Sequence, residues 1–174
     1  DPEIQRRLLR LKAWGSTTAM PLLVQILDRR ARGEATSEQV VNALVSIESY
    51  FVRRVVIGRA TSGLTRTLIQ AVHAIADEEN IDEALLRYFS TGRKHFATDA
   101  QIRRSVQSVA FYWQGRASQK KLILRWLEES LASKETVDPA GLTIEHVLPQ
   151  TMSEEVREEF AAGLEEGADV SYEH

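Results

Sequence analysis

The sequence predicts a mainly α-helical chain in which residues 1–133 form a helical bundle and residues 134–174 begin something of a different kind. Three observations predict it. Apolar residues recur at three- and four-residue spacing through most of the first 133 positions. Two capping boxes, Thr36 with Gln39 and Thr98 with Gln101, mark helix starts. At "KETVDPAG" the rhythm breaks: Asp138-Pro139 and Gly141 are turn chemistry, and a short β-favouring run follows.

The elements follow in order. "PEIQRRLLRLKAW" places Ile4, Leu8 and Leu11, with Leu9 nearby, on one face. "TTAMPLLVQILDRRARG" offers Thr17 or Thr18 as N-cap, Pro21 early, and Gly33 as a stop after an Arg-rich last turn. "TSEQVVNALVSIESYFVRRVVIG" runs from the Thr36 box to Gly58. "GLTRTLIQAVHAIADE" and "IDEALLRYFS" are two more helices, with His73 expected to pack inside the first. "IRRSVQSVAFYW" follows the Thr98 box. "SQKKLILRWLEESLAS" is amphipathic, with Leu122, Trp126 and Leu127 inward. Trp14, Trp113 and Trp126 stand at helical spacing from other apolar residues and read as core. "LTIE" has strand composition and Pro149 closes that run; "SEEVREEFAAGLEEG" reads as an acidic, exposed helix. No fixed-period repeat is present, which argues against a solenoid.

Composition narrows the function classes. A hydrophobic fraction of 43% over 174 residues is enough for a real core. The absence of cysteine excludes a disulfide scaffold and a thiolate zinc site. No apolar run is long enough for a membrane span and no secretory signal is visible, so no membrane partner and a cytoplasmic location are expected. The first residue is Asp1, and the chain is expected to be a piece of a larger polypeptide. The net charge of −3 conceals an asymmetry: 20 Lys+Arg against 14 Asp+Glu up to Ser133, then 2 against 11. The basic excess of the helical part permits contact with nucleic acid without requiring it. Arg53, Arg54, Arg59 and Arg66, with Arg103 and Arg104, are candidate phosphate contacts. The competing reading is a solvated helix face with local ion pairs. His95, in "TGRKHF", is expected in a loop that could touch nucleic acid. Gly58 and Gly63 are helix-stop and loop residues, because no Gly-x-x-x-x-Gly-Lys pattern exists.

The stretch "LTIEHVLPQ", residues 142–150, sets an adjacent Glu145-His146 pair in a short apolar run. "TIEHVLPQ" resembles the first half of an HNH-like (ββα-metal) nuclease motif. It looks specifically like the C-terminal nuclease domain of the GmrSD-type modification-dependent restriction enzymes, a group that phosphorothioate-sensing antiphage effectors also resemble. "IESYFVRRVVIGRATSGLTRTL" and "KKLILRWLEES" are similar to stretches in the helical middle region of such proteins. The resemblance implies that residues 134–174 are the leading part of a ββα-metal domain. It implies an antiphage, restriction-type DNA endonuclease or nickase, with DNA as partner and a ParB-like nucleotidase domain of the same protein preceding the helices. It implies His146 as general base and Glu145 as ligand to a divalent cation, Mg²⁺ or Mn²⁺.

The chemistry suits those residue types. Imidazole titrates near neutral pH and can take a proton from water. Carboxylate oxygen is a hard donor for Mg²⁺ or Mn²⁺. On an extended backbone Glu145 and His146 would point to opposite faces, so their aim depends on the turn at Pro149. Many HNH motifs carry Asp or His where this chain has Glu145. The family motif continues with an Asn-bearing "GNLTL"-like strand and a ligand-bearing helix. Nothing after Gln150 matches these, and His174 is unassigned. The chain by itself is therefore expected to lack a complete active site. The alternative is a helical DNA-binding or interdomain docking module without catalysis of its own.

Overall fold

The computed structural model of the chain describes residues 1–94, 96–108, 116–131 and 153–162. The chain is mainly helical: the described residues hold eight α-helices, two 3-10 turns and no strand. They fall in two units, Asp1–Lys134 and Glu135–His174.

In the first unit, helix α1 (Pro2–Trp14) starts on Asp1, whose side chain accepts from the Glu3 and Ile4 amides at 2.9 and 3.3 Å. Pro2 sits in the first turn, where its missing N–H costs nothing. Gly15, left-handed at φ 76°, ends the helix. Leu11 and Trp14 are buried and Ile4 and Leu8 pack against the core. Leu9 does not join that face: it is 57% exposed, because it lies more than a quarter turn from Leu8. Arg6 and Arg7 hydrogen-bond to Glu3, in that order of effect, and hold its carboxyl at about 2 against an ordinary 4.5. What this cluster contributes to stability is therefore present above pH 4.5 and lost as the pH falls toward 2. An NMR titration of the Glu3 carboxyl should show a midpoint near 2; an ordinary midpoint would mean the pairs are open in solution.

Helix α2 (Met20–Ala31) begins differently from the sequence expectation. Thr17 and Thr18 lie in a 3-10 turn, Thr17–Ala19, and Ala19 is the N-cap without a side-chain bond. Ser16 and Thr18 instead share a hydroxyl–hydroxyl bond of 2.8 Å. Helix α3 (Ser37–Val56) opens on the predicted capping box. The Gln39 amide donates to Thr36 Oγ1 at 3.1 Å and the Thr36 amide to Gln39 Oε1 at 2.8 Å. Thr36→Ala should cost about 1 kcal/mol in urea unfolding; an unchanged midpoint would show that the cap adds nothing to the long helix behind it.

Helix α3 is the axis of the bundle. It packs on α1, α2, α5 (Ile81–Ser90) and α6 (Asp99–Ser108), while α4 (Leu64–Ala74) lies against α2 and α7 (Ala117–Ser130) against α1. Its buried face runs from Val40 through Ala43, Leu44 and Ile47 to Phe51. Tyr50 stacks on Phe89 with centroids 4.3 Å apart and planes 3° apart, tying α3 to α5. Trp14 stacks on Phe51 and on Trp126, at 6.2 and 5.8 Å, so that α1 joins α3 to α7. Buried Glu48 meets Arg7 at 3.3 Å and Arg10 at 3.1 Å, and Arg10 lies 4.2 Å over the Trp126 ring. Buried Arg29 caps the end of α4, donating to Ile75 O at 2.7 Å and Ala76 O at 3.0 Å.

Two further expectations are corrected. His73 is exposed, because α4 turns Leu68 and Ala71 to the core and His73 to the other side. Leu127 is 56% exposed: α7 buries Ile123 and Trp126, and Leu124, Leu127 and Leu131 share an outward stripe. The second capping box is present: the Thr98 amide donates to Gln101 Oε1 at 2.9 Å and starts α6. Trp113, and the strand-like run with Pro149, lie outside the described residues.

In the second unit, helix α8 (Glu154–Ala162) starts at Ser153, whose Oγ accepts from the Val156 amide at 3.4 Å. Glu154 and Glu155 in its first turn complement the helix dipole, and both are exposed.

Candidate phosphate-binding site

The last turn of α3 carries Arg53 and Arg54, which the structure sends to different tasks. Arg53 donates to Ser49 Oγ at 2.9 Å, Ala97 O at 2.7 Å and Asp99 Oδ1 at 2.6 Å, with its guanidinium 5.0 Å from the Phe96 ring centre. It clamps the start of α6 to α3, and its hydrogen bond holds the Asp99 carboxyl below the usual range. Those donors are spent inside the protein.

Arg54 is buried, 7% exposed. It donates to the Tyr50 hydroxyl at 3.4 Å and to Ala60 O, and it lies 5.5 Å from the Tyr50 ring centre. No carboxylate pairs with it among the described residues, and its buried Nε has no hydrogen-bond partner there. Burying a guanidinium carries a desolvation cost, which its bonds to Tyr50 and Ala60 O offset in part. The backbone wraps around it. Gly58, left-handed at φ 65°, reverses the chain so that the Arg59 amide donates to Arg54 O at 2.8 Å. Gly63, at φ 76°, then launches α4.

Arg54 forms part of the wall of a cleft of about 630 Å³ within the first unit. Trp14 and Phe51 supply its aromatic wall, and Val55 and Leu64 extend the apolar side. Arg59 and Arg116 join Arg54 as cations, and Ser16, Thr61 and Thr65 bring hydroxyls. Among the described residues that line it there is no Asp or Glu. Two helices begin at this cleft without a side-chain cap: α4, whose Leu64 and Thr65 line it, and α7, with Arg116 at the N-cap and Gln119 on the wall. Such ends carry unsatisfied amides and partial positive charge.

Of the residues singled out in the sequence, Arg54 and Arg59 meet in this cleft. Arg66, Arg103 and Arg104 are exposed on α4 and α6 and do not line it. Arg116 and the hydroxyls were missed. Arg116 is the N-cap of α7 and Arg54 lies in the last turn of α3 far upstream, and no periodicity links them. Glu145, His146 and His95 lie outside the described residues. Among the described residues, no group of three or more His, Cys, Asp or Glu side chains could hold a metal ion. Nor is any helix there long and apolar enough to cross a membrane.

No family model, curated protein or solved structure matches the chain.

Proposed function

We propose that the chain is the helical body and the leading half of an HNH-like nuclease domain in a DNA endonuclease or nickase of the restriction type. The observation that carries this reading is the octapeptide "TIEHVLPQ" at 143–150. In it His146 takes the proton from the attacking water, a task suited to imidazole near neutral pH. Glu145 offers the oxygen donor for Mg²⁺ or Mn²⁺, a cation that would stabilise charge on the phosphate and the leaving oxygen. The remaining ligands belong to a second half of the motif that the sequence after Gln150 does not contain. Exposed Arg66, Arg103 and Arg104 support DNA contact by the helical unit, since exposed guanidinium groups pair with phosphate independently of sequence.

DNA affinity of the chain should fall steeply with salt. Arg66→Ala or Arg103→Ala should lower the slope of log K against log salt by about 1 while weakening all sequences alike. Salt-independent affinity, or no binding at low salt, would remove the helical unit from the DNA contact.

A second reading, a helical docking module, draws on the outward stripe of Leu124, Leu127 and Leu131, 37%, 56% and 75% exposed. A contiguous apolar stripe suits a protein surface better than phosphate. Its occupant would be a preceding ParB-like domain of the same protein. Leu127→Glu, which adds charge to that stripe without touching the basic residues, separates the two: it would abolish docking and spare DNA binding.

A further inference from the structure

We propose that α6 is a recognition helix, which enters the major groove of duplex DNA and reads base edges with Arg104 and Gln107. This rests on the reading that the helical unit contacts DNA, and it names what the contact reads. It starts from a helix that buries none of its own residues. Ile102 and Ser105 are half-buried and the other eight positions are exposed. A helix of this length is marginal alone and is ordinarily held by a buried apolar face. Here α6 is held at its start instead. Ala97 is buried, Arg53 donates to Ala97 O and to Asp99, and the Thr98–Gln101 box closes the first turn. The turns that follow are left uncovered.

The uncovered side carries the residue types that a base edge pairs with. At about a hundred degrees per residue, Ala100, Arg104 and Gln107 share one face, opposite Ile102. Arg matches O6 and N7 of guanine, Gln matches N6 and N7 of adenine, and Ala packs on the thymine methyl. Arg103 stands at the margin of that face, where a phosphate contact carries no sequence information. Asp99, the one acid of α6, is already paired with Arg53 at 2.6 Å. The charge fits the same partner. Residues 100–127 hold six Lys and Arg and no Asp or Glu, which is the whole basic excess of the first 133 residues. A helix about 10–12 Å across fits a groove about 12 Å wide. Arg104 and Gln107 are about 4.5 Å apart along the axis, so their guanine and adenine should lie one or two base pairs apart.

The test is selection of randomised DNA duplexes on the 174-residue chain at low salt. The selected duplex should contain that guanine and adenine and bind at least about tenfold more tightly than a scrambled one, as one bidentate base contact is worth. Gln107→Ala should remove the preference for the adenine and Arg104→Ala that for the guanine, each with an unchanged circular dichroism spectrum. Replacing the selected guanine by 7-deazaguanine removes the N7 acceptor. It should weaken the parent chain several-fold and leave Arg104→Ala unmoved. That change is in the DNA, so the protein fold does not enter. Salt-dependent binding with no selected sequence would overturn the inference and leave DNA contact by the helical unit standing. No binding to any duplex at low salt would overturn both. A 7-deazaguanine duplex that binds the parent chain as tightly would overturn the inference alone. So would duplex RNA competing as well as duplex DNA, since its major groove is too narrow for side chains to read.

Discussion

His146→Ala should abolish DNA nicking by the full protein while leaving its fold and DNA affinity nearly intact. A general base is worth about 10²–10⁴-fold, so the loss should appear in the rate of the chemical step and not in binding. The pH profile should lose the limb set by imidazole, which a merely structural histidine would not control. Glu145→Ala should behave differently. Removing one oxygen donor weakens metal affinity, so added Mg²⁺ or Mn²⁺ should restore part of the rate. The 174-residue chain alone should cut nothing with either metal. Undiminished nicking by His146→Ala would refute the assignment. Loss of cutting and of DNA binding together, with the fold kept, would make His146 a DNA contact instead of a base.

Glu48→Ala should cost the bundle about 3–5 kcal/mol, as removal of one partner from a buried ion cluster does elsewhere. Glu48 is 9% exposed and sits between Arg7 and Arg10, which are also mostly covered. Without its carboxylate the two guanidinium groups face each other across the α1–α3 contact, and Arg10, already lowered first by its own burial, loses its nearest anion. A loss of that size is a large share of a domain's whole stability, about 5–15 kcal/mol. Urea unfolding should show it, and Glu48→Gln, which keeps hydrogen-bond acceptance, should cost less. A change below about 1 kcal/mol for Glu48→Ala would place the cluster among solvated surface pairs, which contribute that little.

Local chemistry was readable in the sequence wherever a residue acts on its neighbours. The Thr36 and Thr98 boxes formed as predicted, because a hydroxyl and an amide three positions apart meet in any helix start. Gly33 and Gly58 take the left-handed conformation that ends a helix, which their lack of a side chain permits. The Thr17 and Thr18 expectation failed for a related reason: Ser16 offers a competing hydroxyl, and the chain resolved the choice with a 3-10 turn. Periodicity marked which faces are apolar but not how many neighbours arrive to cover them. Leu127 and Leu9 have the right spacing and no cover, since α7 meets the bundle through α1 and the rest of its stripe faces outward.

The arginines show the same division. That the helical part is basic, lacks cysteine and carries no P-loop was settled by composition and spacing; a hydrolytic role for the Glu145-His146 pair is what the nuclease resemblance implies. Which arginine does what was decided by the fold. Arg53 and Arg54 are adjacent in sequence and a hundred degrees apart on α3. One therefore reaches Ala97 and Asp99 and clamps α6, while the other is buried beside a turn that closes over it. Arg116, the N-cap of α7, reaches that same cleft because α7 packs on α1 and brings its start with it. Helix starts and glycine stops depend on a few bonded neighbours and are written locally. A buried arginine such as Arg54 exists only once segments far apart in the chain have excluded water from around it.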